Sequence, residues 1–172
     1  AGGSAAGGWD HLKVLIAAQA ADVENLPKVS YLSYNNGGEA ITQVVGGHVQ
    51  AFTGDISEIQ GFMESGDLKE LAVLSEERLP GKLAEVPTAR EQGIDAVAPN
   101  WRGFYIPAGV SDDAEQYWTT TLDSVYESEE WKDVMTKSGL MPFHKSGAEF
   151  DAFVKAQIQD IQTLSKDIGL IR

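Results

Sequence analysis

Cysteine is absent from the 172 residues. That excludes disulfides, thiolate metal sites and cysteine nucleophiles, and it is compatible with an oxidising compartment. Positive charge is scarce: Lys and Arg number 13 against 26 Asp and Glu, a formal net charge of −13 that repels nucleic acid and anionic lipid alike. Within the first sixty residues the cations are Lys13 and Lys28. No apolar run approaches the ~20 residues of a membrane helix, and the N-terminus carries no signal-peptide pattern. The expectation is that any targeting segment was removed or was never part of this chain. Histidine is also sparse. His11, His48 and His144 fall in three separate elements with no His-x-x-x-His pair, so no metal and no cofactor are expected.

Glycine is plentiful, with 18 residues, and it is concentrated at the front. The stretch AGGSAAGGWDH runs into an amphipathic helix that starts near Trp9 or Asp10. Gly2, Gly3, Gly7 and Gly8 let the backbone approach a ligand closely, and the first turn of the helix behind them points unpaired N–H groups forward. This is a cradle for a small anion. It is no phosphate loop, because neither Gly2 to Gly7 nor Gly3 to Gly8 is followed by Lys, and it fits neither the dinucleotide fingerprint nor the Gly-x-Ser-x-Gly elbow. A triad of Ser4, His11 and Asp10 fails as well, since adjacent residues on a helix point about 100° apart. The loop can hold an anion but has no machinery for transforming it.

Further along, the chain repeats the pattern of strand, small-residue turn and helix. Leu12, Leu15, Ile16 and Val23 recur at helical spacing from Trp9 to about Val23, and Val29 to Tyr34 (VSYLSY) has the composition of a buried strand. Asn35-Asn36-Gly37-Gly38 then turns into a helix over about Glu39 to Val45, which Gly46-Gly47 closes. His48 to Thr53 reads as a strand, Thr53-Gly54-Asp55 as a turn, about Ser57 to Glu64 as a helix ended by Gly66, and Glu70 to Leu74 as another strand. Successive turns of this kind predict a parallel α/β sheet whose carboxyl-end turns face one crevice. An anion there would be held by backbone N–H groups and hydroxyls, with Arg102 the nearest counter-ion.

The second half is less regular. Thr88-Ala89-Arg90-Glu91 has capping-box spacing before a short helix ended by Gly93, and Trp101 to Pro107 reads as an aromatic hinge strand. Helices follow over about Asp112 to Tyr126 and Glu129 to Ser138, with Tyr117, Trp118, Leu122 and Val125 on one face and Trp131, Val134 and Met135 on the next. A short strand is expected over Leu140 to Phe143. A second capping box at Ser146 to Glu149 opens a long helix striped by Phe150, Phe153, Val154, Ile158, Ile161, Leu164 and Ile168. Acidic runs at Glu76-Glu77, Asp112-Asp113 and Glu129-Glu130 read as solvated faces and helix N-terminal charges.

Several of these segments together resemble one family. Gly2-Gly3-Ser4-Ala5-Ala6-Gly7-Gly8-Trp9-Asp10-His11-Leu12, Gly38-Glu39-Ala40 with Gly46-Gly47-His48-Val49, Leu71-Ala72-Val73 with Glu77-Arg78-Leu79-Pro80, Val86-Pro87-Thr88 with Glu91-Gln92-Gly93, and Trp101-Arg102-Gly103 occur in its order. The chain is similar to the periplasmic substrate-binding receptors of tripartite tricarboxylate transporters, also called Bug proteins. The departures are Trp9, where many members have a small or hydroxyl residue, and Gln50, where Asp is common.

The resemblance implies a periplasmic, non-catalytic receptor with a Venus-flytrap fold, in which lobes of mostly parallel sheet flanked by helices close on a small organic carboxylate and deliver it to membrane permease subunits. A di- or tricarboxylate or related acid is implied. A ligand-sensing domain of the same fold, and a small-acid α/β enzyme, are the alternatives. The residues matching the cleft are Ser4, Ala5, Gly7 and Gly8 in the first loop, Asn35, Asn36 and Gly38 in the second, and Thr53 and Asp55 in the third. Only the carboxyl-terminal portion of the family is matched. Residues 1–98 correspond to its second lobe and residues 99–172 to a hinge strand and helices returning to an incomplete first lobe. The apolar faces left by such a portion imply a dimer or swapped assembly.

Overall fold

A computed structural model describes residues 1–167, 169 and 171. The chain divides into two compact units, residues 1–100 and residues 101–167.

The first unit is built on a parallel ladder at the N-terminus. Strand β1 (Gly2–Gly3) pairs with β2 (Leu32–Ser33) in parallel, Gly2 opposite Leu32 and Gly3 opposite Ser33. Gly2 also bridges Phe52 in parallel, donating to the Ala51 carbonyl at 2.9 Å and accepting from Thr53 at 3.0 Å. Three chain segments therefore lie side by side with β1 in the middle. The front glycines are thus not wholly loop. Gly2 and Gly3 are the buried central strand, and the loop proper begins at Ser4. Glycine is required there by close approach: a Cβ on Gly3 would lie 2.7 Å from the Thr53 carbonyl oxygen and 2.6 Å from the Tyr31 hydroxyl.

Helix α1 (Trp9–Ala20) and helix α2 (Gly37–Val45) both pack on β1, burying Leu12 and Leu15 from one and Ala40 and Ile41 from the other. The expected reach of the first helix to Val23 is too long. Ala21 caps it, Asp22 takes φ 54°, and Val23 donates back to the Ala18 carbonyl in a Schellman closure that leaves its side chain 44% exposed. At the end of α2 the same closure uses Gly47 in the left-handed conformation, with His48 donating to the Gln43 carbonyl. Helix α3 (Ile56–Ser65) packs against α2.

Strand expectations are largely corrected. VSYLSY forms only β2, and it is exposed, with Leu32 at 47%. HVQAFT contributes a single bridge at Phe52, and the 70–74 segment a single parallel bridge between Val73 and Thr88. That second bridge lies over a small core of Leu79, Leu83 and Val86 packed with Ile56, Met63 and Val73. The capping box at Thr88 is present: its hydroxyl accepts the Glu91 N–H at 3.1 Å while the Glu91 carboxylate accepts the Thr88 N–H at 2.8 Å. The helix it opens is one 3₁₀ turn, Arg90–Gln92.

The second unit is helical: α4 (Asp112–Glu127), α5 (Glu129–Lys137) and α6 (Gly147–Asp167), with Ser111 and Ser128 as N-caps of the first two. Acidic residues fill their first turns as the macrodipole favours. Neither WRGFYIP nor 140–143 is a strand, and Phe104, Tyr105, Leu140, Met141 and Phe143 are exposed. At the start of α6 the Glu149 carboxylate pairs with Lys145 rather than closing a capping box. Trp101 meets Phe150 and Phe153 edge to face, ring centroids 5.6 and 5.3 Å apart. The α6 stripe is half-buried at Phe150, Phe153, Val154, Ile161 and Leu164, while Ile158 is exposed and Ile168 lies outside the described residues. Tyr117, Trp118, Val125 and Val134 are likewise exposed.

Candidate functional site

The parallel ladder fixes where the three turns go. Leu32 and Phe52 flank Gly2 across it, in parallel, so the turns that follow the three segments leave the same end of the sheet. All nine residues singled out as ligand contacts belong to these turns or to the helix starts behind them.

Each turn treats its helix N-terminus differently. In the second, the Asn36 side chain accepts the Glu39 N–H at 2.9 Å, and the Glu39 carboxylate accepts from the Asn35 N–H at 3.1 Å and the Asn35 side-chain amide at 2.9 Å. Gly38 already lies within α2, its carbonyl accepting from the Thr42 hydroxyl. In the third, the Glu58 carboxylate accepts the Asp55 N–H at 3.1 Å and packs on Gly37 and Gly54, where a Cβ would lie 2.3 Å and 2.7 Å from its oxygens. Thr53 is held in the ladder through its N–H. At these two starts a carboxylate of the chain accepts a backbone N–H of the turn itself, from Asn35 in one and Asp55 in the other.

The first turn differs. No side chain caps α1, whose N-cap is Gly8. Part of the loop is internally bonded: Ser4 donates its N–H at 3.1 Å and its hydroxyl at 2.5 Å to Asp10 Oδ2, Gly7 donates to His11 Nδ1 at 3.0 Å, and Gly8 to the Ala5 carbonyl at 2.9 Å. Among the described residues, the N–H groups of Ala5, Ala6, Trp9 and Asp10 have no protein partner. Ala5 and Ala6 are exposed and Trp9 is half-buried, whereas Asp10 is buried. Ser4, Gly7 and Gly8 shape the loop, with Gly7 at φ 80° supplying the left-handed residue.

Beneath the turns lies a charged network not foreseen from the sequence. Lys13 is 5% exposed and Asp10 8%. The Lys13 ammonium donates to Asp10 Oδ1 at 3.2 Å, to Asp55 Oδ1 at 3.3 Å and to the Gly54 carbonyl at 3.4 Å. The Asn100 side chain donates to both Asp55 oxygens, at 2.7 and 2.9 Å. A buried ammonium without partners is strongly destabilising, and here three acceptors lie within reach of it. The signal for it was present: Asp10 and Lys13 stand three apart on a helix, which puts them on one side, and Lys13 interrupts an otherwise apolar stretch.

Tyr31 completes the floor. Its hydroxyl donates to the Ser4 carbonyl at 2.9 Å, and burial together with the Asp10 charge pushes its pKa up to about 12. His11 stacks on it, ring centroids 4.4 Å apart, and burial lowers the His11 pKa. Ser4, His11 and Asp10 are therefore no catalytic relay, since the serine hydroxyl bonds to Asp10 and His11 serves Gly7. Arg102 belongs to the second unit, where it donates to the Trp101 carbonyl. A shallow groove of about 660 Å³ along α4, edged by Tyr117, Thr121 and Val125, contains none of the expected ligand contacts.

A parallel-stranded α/β unit whose turns gather at one sheet end is the architecture of the periplasmic-binding-protein class. Residues 6–170 match the tripartite tricarboxylate transporter family receptor, TctC, and the chain belongs to that family. Among solved structures it is similar to a TctC solute-binding protein from Polaromonas without ligand, at TM-score 0.71 and 23% identity, over 99% of this chain and 56% of that one. It is also similar to R. palustris Rpa4515 with adipate, at TM-score 0.84 and 22% identity, over 98% of this chain and 55% of that one. The chain thus spans little more than half the length of these structures. No curated protein matches significantly. Among the described residues no helix is long and apolar enough to cross a membrane.

Proposed function

We propose that this chain is the ligand-binding portion of a periplasmic receptor that captures a small organic carboxylate without transforming it and presents it to the membrane subunits of a tripartite tricarboxylate transporter. Membership of the TctC family and the likeness to a solved structure with adipate support this reading. The observation that carries it is the uncapped start of α1. Its N-cap is Gly8, with no side chain to cap the helix; the Asp10 carboxylate in its first turn is taken up by Ser4 and Lys13, and the unpartnered N–H groups at Ala5, Ala6 and Trp9 suit an anionic oxygen.

In this reading residues 1–98 are one ligand-binding lobe and residues 99–172 return toward another. Ser4, Ala5, Gly7 and Gly8 surround the carboxylate, and Asn35, Asn36, Gly38, Thr53 and Asp55 border the rest of the ligand. Glu39 and Glu58 disfavour a second carboxylate close to the second and third turns. Calorimetric titration with adipate and a panel of mono-, di- and tricarboxylates tests the proposal. Saturable heat with the acid recovered unchanged is expected. Absence of binding across the panel at high concentration, or conversion of an acid, overturns it.

A further inference from the structure

We infer that Lys13 is a positioning residue: it fixes the first and third turns to each other, so that the donors at the start of α1 keep one spacing from the Thr53–Asp55 turn. In its bearing on ligand affinity this rests on the carboxylate-binding reading. The linkage itself is a property of the ligand-free chain.

Lys13 stands one helical turn behind the loop, and its ammonium reaches two acceptors on the third turn, the Gly54 carbonyl and Asp55 Oδ1. On its other side it meets Asp10 Oδ1, while Oδ2 of the same carboxylate holds both the N–H and the hydroxyl of Ser4. Ser4 is thereby joined to Asp55 through Asp10 and Lys13, across 51 positions of sequence. Asn100 grips Asp55 from the end of the first unit and stops it from swinging away. Without the ammonium, Asp10 and Asp55 would be carboxylates sharing one half-buried space, and mutual repulsion would drive the turns apart. A chain so short of cations places one of them where no ligand reaches it, and its work is to hold acceptors rather than to meet the anion.

The experiment is a cycle of variants read two ways. Asp55→Asn is made in the parent chain and in Asp10→Asn/Lys13→Met, a background in which both buried charges of the pair are removed together so that the fold survives even where Lys13→Met alone does not. Amide hydrogen exchange of the ligand-free chain is the first readout. In the parent, Asp55→Asn is expected to speed exchange at Ser4 about tenfold, although the two residues are not bonded to each other, and in the double-variant background it leaves Ser4 unchanged. Exchange at Ser4 that ignores Asp55→Asn in a folded parent chain overturns the inference. The second readout is adipate titration, in which the double variant is expected to bind about tenfold more weakly than the parent. Equal binding by the two also overturns the positioning role. Coupled exchange in a parent that binds no acid supports the linkage while refuting the carboxylate reading.

Discussion

His11 lies nearly parallel to Tyr31, with ring planes 20° apart, and in that position its Nδ1 accepts the Gly7 N–H. The bond requires a neutral imidazole with its proton on Nε2. Protonation would turn the acceptor into a donor facing another donor. Burial already lowers the His11 pKa, so the folded chain binds that proton less readily than the unfolded one. The resulting stability is present above the ordinary value near 6.5 and is lost as pH falls through it to the folded pKa. Denaturant unfolding between pH 7.5 and 5 should show this loss. His11→Asn, whose Oδ1 still accepts from Gly7 but does not titrate, should flatten that part of the profile.

Tyr31 has the opposite sign. Its phenol is raised to about 12 by burial and by the Asp10 charge, so its contribution is full below pH 10 and lost as pH rises through about 12. Ultraviolet titration of the five tyrosines should therefore show one late phenolate that Tyr31→Phe removes and Asp10→Asn moves earlier. A chain whose tyrosines all ionise together near 10 would contradict the buried pairing.

Two glycine substitutions should diverge in stability. Gly3→Ala places a methyl 2.7 Å from the carbonyl oxygen of Thr53, a residue whose N–H is held in the ladder, and overpacking of that kind costs about 1–3 kcal/mol. Gly61→Ala lies inside α3 with nothing within 4 Å, and replacing a helical glycine by alanine stabilises by up to about 1 kcal/mol. Chemical denaturation of both variants checks the contrast.

The helix starts were legible because caps are local. Thr88 with Glu91 is a signal a few residues long and opens a 3₁₀ turn where it was expected, and α2 and α4, expected from about Glu39 and Asp112, begin at Gly37 and Asp112 behind caps at Asn36 and Ser111. The strands were not, for two reasons. Gly2 and Gly3 carry no side chain to show a pattern, so the central strand hid inside a glycine-rich stretch. Trp101 to Pro107 and Leu140 to Phe143 have strand composition, but β-propensity reflects fit to a neighbouring strand, and among the described residues they have none. The turns of the candidate site followed from chain order. Lys13 did not, because only the fold brings Gly54 and Asp55 onto a helix forty residues earlier.

The second unit carries its own expectation. Tyr117 is 63% exposed and Trp118 51%, and Phe104, Tyr105 and Met141 are also open. Exposed apolar side chains, where they form a contiguous patch, are the kind of surface that drives association. At micromolar concentration the chain should bind a hydrophobic dye and sediment partly as dimers or larger species, while Trp118→Glu with Tyr117→Lys should shift it toward monomer. A dye-silent, monodisperse parent would refute this.

The sharpest test of the ligand's place is at Gly7. Its φ of 80° disfavours any side chain, but a Cβ there meets nothing within 4 Å, so strain and charge can be separated. Alanine brings the conformational penalty alone, of roughly 1 kcal/mol, whereas aspartate tolerates the left-handed region better than alanine and adds a carboxylate beside the start of α1. If strain governed binding, Gly7→Ala would be the worse variant. If an acid docks on the Ala5, Ala6 and Trp9 N–H groups, Gly7→Asp should weaken adipate binding by about tenfold or more and Gly7→Ala far less. Glu130→Lys changes more formal charge on the exposed first turn of α5 and should matter little, since such charges are screened within about 10 Å at ~0.1 M salt. Titration of the three variants, each shown to be folded by circular dichroism, decides the matter. Full affinity in Gly7→Asp would move the carboxylate away from the first turn and toward the Asn36 and Asp55 turns, where it would have to displace Glu39 or Glu58.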